Sequence, residues 1–203
     1  MPQTQKTMKN IVFDLAGVVF ARNEERCPQE LMQFFSFINS GEPMPPFWND
    51  YDRGTATIDE VATALAQYRG VDSAFAKSMM LRAIEYQEEI EPTKRLICDL
   101  RKAGYRLFVL SNMSLEYIEF LRRKEVYAYF DFEVISCETH YIKPEKEIYE
   151  YLLSRYGLIA DETLFIDDRA ENVEAAALLG IKPFHFDRKS PESSCQQLRE
   201  MLL

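Results

Sequence analysis

The chain has 203 residues, 47% of them apolar and 28% charged, with 24 Lys and Arg against 33 Asp and Glu for a formal net charge of -9. That length suits one domain, or a domain with an inserted lobe, around a sizeable core. The acidic balance argues against nucleic acid as a partner, because binding a phosphate backbone needs basic patches.

Cys27, Cys98, Cys137 and Cys195 are scattered without a Cys-x-x-Cys pair, so they read as reduced thiols rather than a disulfide framework. Met1 to Lys9 is polar, and no uninterrupted apolar stretch reaches the length of a membrane span. A soluble cytoplasmic protein, with no membrane partner, is the expectation.

In chain order, Ile11-Val12-Phe13 reads as a strand buried on both faces, with Asp14 at its carboxyl end and Gly17 shortly after. Leu31, Phe34, Phe35 and Ile38 recur at helical spacing until Gly41-Glu42-Pro43 breaks the run. Thr57-Ile58-Asp59-Glu60 is a capping box that opens a helix ended by Gly70, and Asp72 caps the next. No strand is evident from Glu24 to Glu89, so this region reads as helical. From Glu91 onward strand and helix alternate. A helix starts at Pro92, and a strand from Tyr105 to Leu110 ends at Ser111-Asn112. A charged helix runs through Arg122-Arg123-Lys124, followed by a strand near Phe132 to Ile135. Next come a helix from Glu145 to Tyr156 and the short strand Leu164-Phe165-Ile166, which ends in Asp167-Asp168. An alanine-rich helix to Leu179, a strand from Ile181 to Phe186 and a helix opened by Ser190-Pro191 complete the chain. Strands separated by helices require a parallel sheet with right-handed crossovers, here an α/β fold with a helical lobe inserted after the first strand.

The polar residues that stand out all follow strands or open a helix: Asp14, Ser111, Asn112, Lys143, Asp167 and Asp168. In a parallel sheet those ends share one edge, where open α/β sheets hold their ligands. Carboxylates crowded there repel unless a cation neutralises them, and an all-oxygen set suits Mg²⁺, which keeps waters and takes phosphate oxygens as ligands. A Ser hydroxyl, an Asn amide and a Lys ammonium are able to hold further phosphate oxygens. That leaves one carboxylate to attack phosphorus.

Asp14-Leu15-Ala16-Gly17-Val18-Val19, Ser111-Asn112, Lys143-Pro144 and Ile166-Asp167-Asp168 resemble the four motifs of the haloacid dehalogenase superfamily, in its order and near its usual spacing. The resemblance implies a Rossmann-like doubly wound core formed by residues 1–19 and 91–203. It implies a helical cap, residues 20–90, between the first and second motifs. It also implies that Asp14 is the nucleophile and a metal ligand, that Ser111 and Lys143 hold phosphate with Asn112 beside them, and that Lys143 balances charge. Asp168 would be the direct metal ligand, Asp167 a ligand or outer acid, and the carbonyl of Ala16 a backbone ligand.

The sequence departs from the family's phosphatases at Ala16, where they usually carry a second Asp that protonates the leaving oxygen and then activates water. Such help is worth ~10²–10⁴ in rate. A similar subgroup that lacks this acid includes sugar-1-phosphate phosphatases, whose anomeric leaving group needs the proton less. The reading is therefore a Mg²⁺-dependent phosphatase acting on a small phosphorylated metabolite, such as a sugar phosphate. Rates should then fall steeply as the leaving group becomes more basic. A 2-haloacid dehalogenase and a catalytically silent binding module remain as alternatives. His140, three residues before Lys143, reads as a turn histidine but is the first substitute to consider for the missing acid. Arg53 reads as a solvated cap arginine, His185 as a strand residue, and Arg122-Arg123-Lys124 as a solvated helix face.

Overall fold

The computed structural model describes residues 8–23, 25–39 and 43–203. Glu24 and the Gly41-Glu42 break lie outside them, as does most of the polar stretch before Lys9.

The apolar run near the N-terminus is strand β1 (Asn10–Phe13), buried along its whole length. It lies at the centre of a five-stranded sheet with β4 (Arg106–Ser111) on one side and β6 (Thr163–Asp167) on the other. Strands β5 (Phe132–Ile135) and β7 (Lys182–His185) flank these in the order β5-β4-β1-β6-β7, and every pairing is parallel. Ile11 is level with Leu107 and Leu164, so the carboxyl ends of the three central strands finish together.

Helices cover both faces, which is why these strands are continuously apolar rather than alternating. Ile11 and Phe13 point to the face packed by Leu96 and Ile97 of α5 (Glu91–Lys102), Ile118 of α6 (Leu115–Leu121) and Leu198 of α10 (Pro191–Leu202). Val12 points the other way with Phe108 and Phe165. That face is covered by Ile148 and Tyr149 of α8 (Lys146–Tyr156) and Ala176 of α9 (Ala170–Leu178). This is the Rossmann-like α/β architecture that the strand and helix alternation required.

Between β1 and α5 stand α1 (Gln29–Phe34), α2 (Pro46–Arg53), α3 (Ile58–Arg69) and α4 (Ser73–Glu85), around an apolar cluster of their own that includes Leu31, Trp48, Leu65 and Met79. Thr57 caps α3 in a reciprocal capping box with Glu60, and Asp72 caps α4 through Phe75 N–H. The exception to an all-helical reading is a two-stranded antiparallel ribbon, β2 (Phe20–Arg22) with β3 (Gln87–Glu89). Three-residue strands, one of them the wholly polar Gln87-Glu88-Glu89, carry too short a pattern to be legible. They join the chain where it leaves the sheet to where it returns.

Other departures are local. Helix α6 stops at Leu121, and Arg122 bridges Glu133 and Glu138 at 2.7 Å each instead of standing free on a solvated helix face. An additional short turn, α7 (Ser136–Thr139), follows β5. Helix α8 begins at Lys146, so Lys143 belongs to the loop before it. The four cysteines are free thiols. Among the described residues, no helix is long and apolar enough to cross a membrane.

Candidate active site

The carboxyl edge of the sheet brings Asp14, Ser111, Lys143, Asp167 and Asp168 together, although they span more than 150 positions of sequence. Lys143 is at the centre. Its ammonium is buried and donates to Leu110 C=O at 2.9 Å and Asp167 Oδ2 at 2.6 Å, with Asp14 Oδ1 at 2.9 Å. Three acceptors for three N–H donors leave it fully satisfied. Burial alone would lower the Lys143 pKa, but the carboxylates of Asp14 and Asp167 outweigh it and hold the ammonium above its usual range.

Asp14 Oδ1 also accepts from Leu15 N–H and Ser111 Oγ, both at 2.7 Å. Its other oxygen accepts no hydrogen bond from the described residues and faces the cavity. One oxygen is thus clamped by three donors while the second stays available, which fixes the carboxylate's orientation.

The two neighbouring acids differ. Asp167 is wholly buried and bound by Lys143, Arg169 N–H at 2.9 Å and the Asn172 amide at 3.0 Å to each oxygen. Asp168 lines the cavity and pairs with Arg188 at 3.3 Å. Burial pushes both carboxyls up, Asp167 further raised by Asp14 and Asp168 by Asp167. Gly17 is what lets the β1 loop close on this pair. Its φ of +81° suits glycine, and a Cβ there would sit 2.6 Å from Asp168 Oδ2.

Asp14, Asp167 and Asp168 each present an oxygen within 4.8 Å of the others. An all-oxygen set of three clustered carboxylates, with Asp14 and Asp168 lining the cavity, fits a small divalent cation such as Mg²⁺. Ala16 is exposed at the same loop, at the start of the same cavity.

Three further residues singled out in the sequence have side chains tied to main chain near the site. The Asn112 side chain binds the main chain of Lys143 in both directions, at 2.7 and 2.9 Å, so its amide positions the lysine loop. His140 is exposed, and its Nδ1 donates to Arg53 C=O at 3.0 Å; it does not line the cavity. Arg53 is not a solvated arginine. It forms a two-pronged pair with Glu145 at 2.6 and 2.9 Å and donates to His140 C=O at 3.0 Å, joining α2 to the loop that carries Lys143.

Asn172 was not singled out in the sequence. The available signal was an Asn in the first turn of the helix after Asp167-Asp168, where it can reach back to the first acid. Arg169 and Arg188 also line the cavity near Asp168, a local cationic rim in an acidic chain.

A sequence model described as haloacid dehalogenase-like hydrolase matches residues 8–180. The chain belongs to that family. Within it, a sesquiterpene phosphatase of Aspergillus oryzae is 24% identical over 197 residues, covering 97% of each chain. A D-ribitol-5-phosphate phosphatase of Bacteroides thetaiotaomicron is 22% identical over 207 residues, 96% of this chain and 97% of its own. Some relatives are much longer proteins, of which the matched stretch is 16% or 28%. Among solved structures, a magnesium complex of a haloacid dehalogenase-family enzyme from Bacteroides thetaiotaomicron superposes with a TM-score of 0.70 at 26% identity, over 89% of this chain and 93% of that one. The haloacid dehalogenase-like hydrolase thus has its fold in common with a magnesium-binding enzyme and its full length in common with two phosphatases.

Proposed function

We propose that this haloacid dehalogenase-like hydrolase is a Mg²⁺-dependent phosphomonoester phosphatase of the cytoplasm that works through an aspartyl-phosphate on Asp14. The observation that carries the reading is the state of Asp14, with one oxygen clamped by Lys143, Ser111 and Leu15 N–H and the other free toward the cavity. A carboxylate held this way is oriented for in-line attack, and Lys143 offsets the charge it carries. Asp14, Asp168 and the carbonyl of Ala16 would hold Mg²⁺, with Asp167 behind them anchoring Lys143. When bound, the ion supplies charge neutralisation for the phosphoryl oxygens. A dehalogenase would have no use for three clustered acids, which favours phosphate chemistry.

The cavity above Asp14 has a volume of about 890 Å³. Its floor is charged, but toward the cap it is walled by Phe20, Met32, Ile38, Met44, Trp48 and Met113. Those side chains would be poor partners for the hydroxyls of a sugar and good ones for a hydrocarbon tail. We therefore favour a phosphate monoester of an apolar alcohol over a sugar phosphate. The sesquiterpene phosphatase among the full-length relatives acts, by its name, on substrates of that kind. The expected result is that kcat/KM for linear alkyl phosphates rises about fourfold per added CH₂ until the cavity is full, since each buried CH₂ contributes ~0.8 kcal/mol. A steady-state screen of alkyl and sugar phosphates tests this, and higher kcat/KM for the sugars would refute it.

The metal has its own test. Saturating Mg²⁺ should raise the melting temperature by mass action, and by less in Asp168→Asn. Scanning calorimetry with and without the ion reads the shift. No shift in the wild type would remove the metal from the mechanism.

A further inference from the structure

We propose that Asp52, carried into the cavity by the end of cap helix α2, is the proton donor and acceptor that Ala16 cannot be. The inference deepens the phosphatase reading above and rests on it.

The geometry begins with four consecutive residues at the end of α2, each tied to the core. Tyr51 O–H donates to Glu116 Oε2 at 2.7 Å. The carbonyl of Asp52 accepts from Ser136 Oγ, which itself accepts from Met113 N–H at 2.8 Å. Arg53 pairs with Glu145 and donates to His140 C=O, while His140 Nδ1 donates to Arg53 C=O. Gly54, at φ +74°, passes so close to α7 that a Cβ would lie 2.8 Å from Cys137 Cα. Every anchor is main chain or a neighbour's side chain, and none uses the Asp52 carboxylate.

That carboxylate lines the same cavity as Asp14, Ala16 and Asp168, and among the described residues it makes no hydrogen bond or ion pair. A half-buried, unpartnered carboxylate opposite another carboxylate is costly unless it carries a proton. Ala16 offers only a methyl group there. The groups that face Asp52 are Asp14 from the end of β1, Lys143 from the loop before α8, Arg169 from the head of α9, Tyr117 from α6 and Cys137 from α7. Burial, reinforced by Asp14 and opposed by Arg169 and Lys143, pushes its carboxyl up to about 7. An acid in that range is poised to give and take a proton near neutrality.

The balance of the reaction is simple. Asp14 attacks phosphorus, the ester P–O bond breaks, and the proton of Asp52 passes to the departing oxygen to give the free alcohol. The Asp52 carboxylate then takes a proton from water as the water oxygen attacks phosphorus. The P–O bond to Asp14 breaks, releasing inorganic phosphate and restoring both acids to their starting states. His140, outside the cavity and bonded to Arg53 C=O, takes no part.

The test uses Asp52→Asn, which keeps the carbonyl that Ser136 binds and hence the latch. Rates of both proteins are measured with Mg²⁺ on aryl and primary alkyl phosphates between about pH 5 and pH 9. We expect alkyl phosphates to lose ~10²-fold and aryl phosphates less than ~3-fold, because a good leaving group needs no proton. Wild-type turnover of alkyl phosphates should fall as pH rises through about 7, and that limb should vanish in the variant. The variant's melting temperature should rise at pH 8, because an ionised buried carboxylate has been removed. Equal losses on both substrate classes, or no loss, would overturn the assignment. Should Asp52→Asn fail to fold, Asp52→Ser enters the same comparison. Wild type inactive on every monoester would refute the phosphatase reading itself. Wild type active, Asp14→Asn dead and Asp52→Asn unimpaired would refute only Asp52.

Discussion

Asp14→Asn should lower turnover by about 10⁴-fold or more while leaving the fold intact. Losing a nucleophile removes the covalent route entirely, and comparable losses follow when a nucleophile is deleted elsewhere. Stability responds differently. Asp14, Asp167 and Asp168 each place an oxygen within 4.8 Å of the others, so removing one negative charge relieves repulsion, while the Asn oxygen still accepts from Ser111 and Leu15 N–H. The melting temperature should stay level or rise. Intact-mass measurement should reveal a phosphorylated species in wild type quenched during turnover, and none in the variant. Wild-type activity in Asp14→Asn would refute the covalent mechanism.

Lys143→Met should damage stability and activity together. The methionine roughly keeps the volume of the lysine stem but leaves the Asp14 and Asp167 carboxylates without their cation, in a site where Asp167 is wholly buried. Breaking a buried pair by removing one partner costs about 3–5 kcal/mol, because the remaining charge is stranded. Leu110 C=O also loses a donor. Urea denaturation reads the loss directly. Mg²⁺ should recover a larger share of stability in this variant than in wild type, since the ion neutralises the same carboxylates. Turnover should stay low even in saturating Mg²⁺, because the ion does not replace an ammonium fixed between two acids.

Much of the architecture was legible in the chain because local physics dictates it. Ile11-Val12-Phe13 and Leu164-Phe165-Ile166 are continuously apolar because helices cover both faces of the sheet. Thr57 with Glu60, Asp72, Gly70 and Gly157 carry out the same capping in the structure as their types foretell. The ribbon of β2 and β3 was not legible, since three-residue strands leave no pattern and their pairing spans more than sixty positions. Helix α2 was equally hidden, because its prolines read as a stiff turn although Pro46 occupies its first position.

Residue order alone dictates the parallel sheet, the family and the acids, serine and lysine at one edge, because strand ends in a right-handed parallel sheet must converge. It also determined that position 16 carries no acid. The partners of each group were set by packing. Asn112 turned inward to the lysine loop, and Asp167 was taken by Lys143 and Asn172 while Asp168 faced the cavity. Arg53 and His140 became a clasp between α2 and the loop that carries Lys143. Asp52 lies 38 positions after Asp14 in an unremarkable helix, and its carboxylate faces the cavity only because Ser136, Glu116 and Glu145 hold that helix down. Burial and electrostatic neighbours are properties of packed space. No local pattern of residue types encodes them.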